Sequence, residues 1–297
     1  MPRFEPQQLH TLTEINLMDM YDSLGLAGLQ RGRALLSALF RWPARRFAEQ
    51  VLTYDALVGE RGLPFGAEWI LKQYLRALYV AGREHVPASG PVLVLSNHPG
   101  MADTVALFVA IGRPDLRVVA LERPFLQTLK NTSQQLIYVP EDADKRAGVA
   151  RAVVKQLQAG RAVLTFPGGN IEPDPAVLPG AAQALENWSD SVSLFARLAP
   201  ETQVLPAIVS GVLHPKPQRH WLTRWHKAQK DKEKMAAMLQ ILWRGYQGVT
   251  VRVALGKPTL ARELAATGKP HLTVVRAARE LIEHPPVQWQ LVTEGLR

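Results

Sequence analysis

Val92-Leu93-Val94-Leu95-Ser96-Asn97-His98-Pro99-Gly100-Met101-Ala102-Asp103 joins three kinds of local structure in one short stretch. Val92 to Leu95 is apolar without alternation, the pattern of a strand buried on both faces. Asn97-His98-Pro99-Gly100 breaks that run with turn-forming residues. Met101 to Ile111 is small and apolar and reads as a helix. A histidine thus ends a buried strand, five residues ahead of an aspartate in a first helical turn. Such an aspartate can bond one imidazole nitrogen and fix the tautomer, which leaves the other nitrogen free to accept a proton. His98 and Asp103 are therefore candidates for a general base and its orienter. The same two residues also read as a surface histidine and an acid drawn to the positive end of a helix.

A second stretch repeats the plan. Val163-Leu164-Thr165-Phe166 is a buried strand, Pro167-Gly168-Gly169 ends it, and Glu172 follows shortly after. Paired glycines let a ligand approach the backbone and expose N–H groups to an oxyanion or a phosphate. On Gly168 and Gly169 alone, a plain strand-ending turn explains the sequence as well.

Around these stretches, strand and helix patterns alternate. Strands are expected at Val80–Val86, 116–121, 136–139, 203–212 and 249–255, and helices at 65–79, 124–131, 144–159, 180–198, 259–266 and 271–283. The alternation predicts an α/β fold: a mixed, largely parallel sheet flanked by helices, with ligands at the carboxyl ends of its strands. Two parts are expected, an N-terminal helical region over 1–66 and an α/β domain over 67–297.

Composition narrows the chemistry. The 297 residues include 47% hydrophobic ones, enough for a substantial core, and no cysteine, so disulfides, thiolate-bound zinc and a thiol nucleophile are excluded. Met1 to His10 shows no apolar run of the kind a signal peptide carries, and no apolar stretch reaches the ~20 residues of a membrane span. The expected location is the cytoplasm, at a membrane surface. His214, His220 and His226 stand six apart, a spacing that does not gather a metal site on one helix face.

The formal charge of +9 points to an anionic partner. It is concentrated in two clusters. Arg31, Arg33, Arg41, Arg45 and Arg46 are interleaved with Leu35, Leu36, Leu39, Phe40, Trp42 and Phe47, with Pro43 expected to kink or divide the helix. Lys216, Arg219, Arg224, Lys227, Lys230, Lys232 and Lys234 accompany Trp221 and Trp225, which fall one helical turn apart. Basic segments with interfacial aromatics suit a lipid surface. For the second cluster, a solvated helix with both tryptophans packed inward is the more ordinary outcome. No nucleic-acid-binding motif accompanies the charge, and nucleic acid is not expected as a partner.

Taken together, Asn97-His98-x4-Asp103, Phe166-Pro167-Gly168-Gly169 and Val204-Leu205-Pro206-Ala207-Ile208 resemble the signatures of the glycerolipid acyltransferase superfamily, lysophosphatidic acid acyltransferase type. The lead-in Gly82-Arg83-Glu84-His85-Val86-Pro87 is similar too, and the likeness runs over about residues 70 to 260. It implies O-acyl transfer from an acyl thioester, carried by CoA or by acyl carrier protein, to a hydroxyl of a glycerolipid or related lipid. His98 would be the base and Asp103 its orienter; Asn97, Gly168, Gly169 and Glu172 would contact substrate, with Glu172 orienting the acceptor hydroxyl. Neither metal nor cofactor is implied.

The chain departs from that pattern at informative places. The superfamily's Phe-Pro-Glu-Gly has Gly168 where the glutamate belongs, and Asn170-Ile171 stand where an arginine is expected. The intermediate block, Leu136-Ile137-Tyr138-Val139-Pro140-Glu141-Asp142, lacks its arginine. Gly168-Gly169-x-x-Glu172 resembles instead the Gly-Gly-x-x-Glu of the mono- and diacylglycerol acyltransferase branch, which implies a neutral acceptor. Lys145, Arg146 and Arg151 are the candidates to replace the lost charges. Two other readings compete. A thioester hydrolase is disfavoured because Gly-x-Ser-x-Gly is absent. A non-catalytic lipid-binding adaptor is disfavoured because binding alone does not call for the His98–Asp103 pair.

Overall fold

The structure, a computed structural model, describes residues 4–26, 33–140, 142 and 147–295. Two long helices lead, α1 (Pro6–Ser23) and α2 (Arg33–Arg61), followed by α3 (Leu63–Leu71) and β1 (Leu75–Ala81). The central run is β2 (Val92–Ser96), α4 (Asp103–Ile111), β3 (Arg117–Leu121), α5 (Pro124–Gln127), β4 (Leu136–Val139), α6 (Ala147–Gln158), β5 (Ala162–Thr165), α7 (Ala181–Ala184), α8 (Ser191–Leu198) and β6 (Gln203–Ser210). The remainder is α9 (Pro215–Gln218), α10 (Trp221–Trp225), α11 (Gln229–Leu242), β7 (Val249–Leu255), β8 (Thr259–Leu260), α12 (Ala261–Ala266), α13 (Pro270–Glu283) and β9 (Gln290–Glu294).

The strands form one sheet in the order β4-β3-β5-β2-β6-β7-β1-β9, with β8 beside β6. From β4 to β6 every pairing is parallel. The direction reverses at β7, which runs antiparallel to β6 and parallel to β1, and β9 closes the edge antiparallel to β1. This is the mixed, largely parallel α/β sheet that the alternation predicts.

Both faces of the sheet are covered, which is why its central strand reads as an unbroken apolar run. Val92 and Val94 face the layer of α2, α3 and α4, while Leu93 and Leu95 face α6, α8, α12 and α13. A third cluster joins Leu17 and Met20 of α1, Ala44 of α2, and Met235 and Met238 of α11, with Leu222 of α10 packed against it. Ala48, Val51 and Leu52 of α2 share the main core with the sheet, and the 66/67 division falls within α3.

Several local expectations are corrected. The helix expected over 65–79 ends at Leu71, and the strand expected over Val80–Val86 lies earlier, at Leu75–Ala81. Apolar residues from Leu71 to Val80 satisfy both periods, and pairing with β7 and β9 decides for the strand. The strand stops at Gly82, whose φ is +74° and where a Cβ would stand 2.1 Å from the Leu255 carbonyl oxygen. The helix expected over 180–198 is broken between α7 and α8, because Trp188 turns its side chain into the core. Helix α2 runs on through Pro43 rather than dividing there. Arg31 lies outside the described residues, as do Lys145 and Arg146.

Trp221 and Trp225 do not pack inward: they are 63% and 77% exposed, and Leu222 between them is the residue that packs. At the opposite end of the parallel strands, Arg113 is buried and fixes the loops. Its guanidinium donates to both carboxylate oxygens of Asp115 at 2.7 Å and to the Pro87 carbonyl at 2.8 Å. That bidentate bond holds the Asp115 carboxyl below its ordinary value.

Candidate active site

Because β5, β2 and β6 are adjacent and parallel, the loops leaving their carboxyl ends meet. His98 follows β2, Phe166 to Glu172 follow β5, and Gly211 follows β6.

The His98 loop is shaped by two consecutive residues in the left-handed region, Gly100 at φ +85° and Met101 at φ +58°. Methionine rarely adopts that conformation, and strained backbone of this kind collects at functional sites. The reversal brings the first residue of α4 back beneath the imidazole. His98 Nδ1 and Asp103 Oδ2 are 2.8 Å apart, and the same oxygen accepts from the Gly100 amide at 2.6 Å. The other oxygen, Oδ1, accepts from the amide and the hydroxyl of Thr104. Asp103 is 1% exposed and His98 29%. A buried carboxylate with donors on both oxygens is acceptor-only, so Nδ1 carries the proton and Nε2 presents a lone pair. Burial pushes the His98 pKa down, but the charge and hydrogen bond of Asp103, with the charge of Glu172, outweigh it and leave it raised above 6.5. The ring leans on Phe166, centroid to centroid at 4.4 Å.

Asn97 is spent on the scaffold. Its amide donates to the Val209 carbonyl at 2.9 Å and accepts from the Val209 N–H at 2.8 Å, and it is 2% exposed. It ties the end of β2 to β6. Gly169, at φ +65°, donates its N–H to the Phe166 carbonyl at 3.1 Å and closes the turn after β5.

Glu172 is buried against the His98 backbone. Its N–H donates to the His98 carbonyl at 2.8 Å, Oε2 accepts from the His98 N–H at 2.8 Å, and Oε1 accepts from the Trp188 indole at 2.9 Å. Burial raises its pKa, against the lowering pull of the Trp188 and His98 donors. Trp188 and Asp174 are the residues that sequence reasoning missed. Asp174 is fully buried and accepts from the amides of Ala176, Gly211 and Leu213, which pins the second loop to the end of β6. The only available signal was another acid two residues beyond Glu172.

The His98 loop walls a groove of about 890 Å³ that runs between it and helices α1, α2 and α11. Pro99 to Met101 and Ile171 to Pro173 form one side. The groove adjoins a smaller apolar cavity of about 140 Å³, and Phe47, Met101 and Ile241 line both. Its charged lining is mixed: Arg123 and Lys234 are accompanied by Asp19, Asp22 and Glu233, and Lys234 is bonded to Asp22. Arg151 is exposed on α6 and does not line the groove. Among the described residues, no group of three or more His, Cys, Asp or Glu is placed to hold a metal ion, and no helix is long and apolar enough to cross a membrane.

Residues 77–210 match the protein-family model described as Acyltransferase. Among solved structures, the 1-acyl-sn-glycerophosphate (LPA) acyltransferase PlsC from Thermotoga maritima is similar at 16% identity, over 95% of this chain and 97% of that one, with a TM-score of 0.46. No curated protein matches the chain.

Proposed function

We propose that this chain, whose residues 77–210 match the family model described as Acyltransferase, transfers a fatty acyl group from an acyl thioester to a hydroxyl of a lipid acceptor. The observation that carries this reading is the 2.8 Å pairing of His98 with the buried Asp103, next to a largely apolar groove lined by the residues that follow His98, Pro99 to Met101. His98 Nε2 removes the acceptor's hydroxyl proton, and the oxygen attacks the thioester carbonyl. The new C–O bond forms, the C–S bond breaks, and the proton leaves with the thiol. Gly169 closes the turn that presents the Gly168 amide to the developing oxyanion. Asn97 keeps the His98 loop on β6. The acyl chain runs in the groove, toward the small apolar cavity.

The acceptor is a neutral alcohol. A phosphate site needs converging cations, and among the described residues the two that line the groove, Arg123 and Lys234, have the Asp19 and Asp22 carboxylates nearby. Purified chain, labelled long-chain acyl-CoA or acyl carrier protein, and vesicles holding either monoacylglycerol or lysophosphatidic acid test this. Transfer to monoacylglycerol at least tenfold above transfer to lysophosphatidic acid is expected, and the reverse preference would sink the neutral-acceptor assignment.

The same reading places the chain on the cytoplasmic face of a membrane. Leu39 and Trp42 of α2, Trp221 and Trp225 of α10, and Trp243 are all more than 60% exposed. Trp225, Trp221, His220, Tyr246 and Trp243 form a continuous row with ring centroids 5.9 to 6.3 Å apart. Arg46 lies over Trp42 at 5.6 Å. An aromatic row beside arginines and lysines suits the headgroup layer. Replacing Trp221 and Trp225 by alanine is expected to weaken sedimentation with anionic vesicles about tenfold or more. Unchanged sedimentation would remove this surface from the membrane contact.

A further inference from the structure

We propose that Glu172 is a positioning residue whose carboxylate clamps the main chain of His98 and fills the space above Gly168, rather than a contact for the acceptor. The inference rests on the acyl-transfer reading and assigns a task within it.

Three hydrogen bonds join Glu172 to its surroundings, and two of them go to the backbone of His98. The N–H and the carbonyl of one peptide-bearing residue are thereby held from both sides, which fixes where its ring starts. Each carboxylate oxygen meets a donor, the His98 amide on Oε2 and the Trp188 indole on Oε1. Glu172 borders the groove, but it is only 7% exposed and Trp188 4%, and both of its carboxylate oxygens already accept hydrogen bonds from the protein.

Gly168 completes the argument. A Cβ at that position would lie 2.9 Å from the Glu172 carboxylate carbon and 3.1 to 3.2 Å from its oxygens. That separation is too short for a real side-chain contact, so the Glu172 carboxylate occupies space that any side chain at position 168 would need. Glycine at 168 is the condition that makes room for it.

The two donors supply a test that an acceptor-binding role does not predict. Glutamine at 172 keeps one acceptor oxygen but turns an NH₂ toward the second donor. Glu172→Gln is therefore expected to lower kcat about 10- to 100-fold, with the acceptor KM changed less than about threefold. Adding Trp188→Phe removes the opposing donor, so the amide oxygen can serve His98. The double variant is expected to regain at least about tenfold over Glu172→Gln. Gly168→Ala, which leaves Trp188 in place, is expected to show the same kcat loss by displacing the carboxylate.

Hydrogen exchange at the His98 amide reads the clamp without turnover. Protection is expected in the wild-type chain, a fall of about tenfold or more in Glu172→Gln, and recovery in the double variant. A rise in acceptor KM at unchanged kcat, or unchanged His98 exchange in Glu172→Gln, would overturn the proposal. If the wild-type chain transfers no acyl group yet the exchange pattern holds, the acyl-transfer reading fails and the clamp stands.

Discussion

Replacing His98 by alanine is expected to lower acyl transfer by about 10²–10⁴-fold, or ~3–5 kcal/mol of transition-state stabilisation, without unfolding the protein. His98 is the group whose Nε2 is free, because Nδ1 is engaged by Asp103. It is 29% exposed and contributes little to the core, so its removal leaves the packing of β2 intact. Ser96→Ala, two residues upstream and fully buried, provides the comparison: it is expected to keep activity within a few-fold. Full activity in His98→Ala would end the general-base mechanism. The wild-type rate carries a second mark of the same residue. Because Asp103 and Glu172 overcome the effect of burial, the His98 pKa is raised above 6.5, and kcat/KM is expected to climb with pH through an apparent pKa higher than that. For stability the sign is opposite. A raised folded-state pKa means the pair's contribution is fully present below 6.5 and is lost as pH rises through the folded value.

Asp103→Asn is expected to cost a similar factor, about 10²–10⁴-fold, for a different reason. Four donors converge on this carboxylate: His98 Nδ1, the Gly100 amide, and the amide and hydroxyl of Thr104. An asparagine has one acceptor oxygen. If its NH₂ faces His98, the imidazole must take the other tautomer, with the proton on Nε2 and no base toward the acceptor. If the NH₂ faces Thr104, the backbone amide of that residue loses its partner in a buried site, at ~1–3 kcal/mol. Both arrangements predict a lower midpoint in denaturant as well as a lower rate. Loss of the Asp103 charge also removes an attraction that raises the His98 pKa, so the acid limb of the residual activity is expected to move to lower pH. Wild-type activity with an unchanged pH profile in Asp103→Asn would show that Asp103 only caps α4.

The pairing of His98 with Asp103 is legible in the sequence, and so is the sheet class. An apolar run such as Val92 to Leu95, covered on both sides, has few alternatives to a central parallel strand. A Pro-Gly break followed by a small apolar helix then leaves His98 and Asp103 little freedom in their spacing. The second loop was legible as a turn but not as a function, because Gly168, Gly169 and Glu172 are equally the residues of a strand-ending turn.

What the chain could not disclose locally is whatever depends on partners distant in sequence. Leu75 to Ala81 became a strand because β7 and β9 supply its hydrogen bonds, from more than 170 residues away. Trp221 and Trp225 point outward because Leu222 fills the place between α1, α2 and α11. Glu172 became a clamp on His98 because Trp188 and the space over Gly168 converge on it, and that convergence exists only once β5 lies beside β2. The sequence by itself determined which groups are available for chemistry and the spacing of the His98–Asp103 pair, since short-range turn and helix geometry decides both. Tertiary structure alone decided which polar groups are spent on the scaffold and which are left for a substrate, since that depends on which donors and acceptors meet when the sheet assembles.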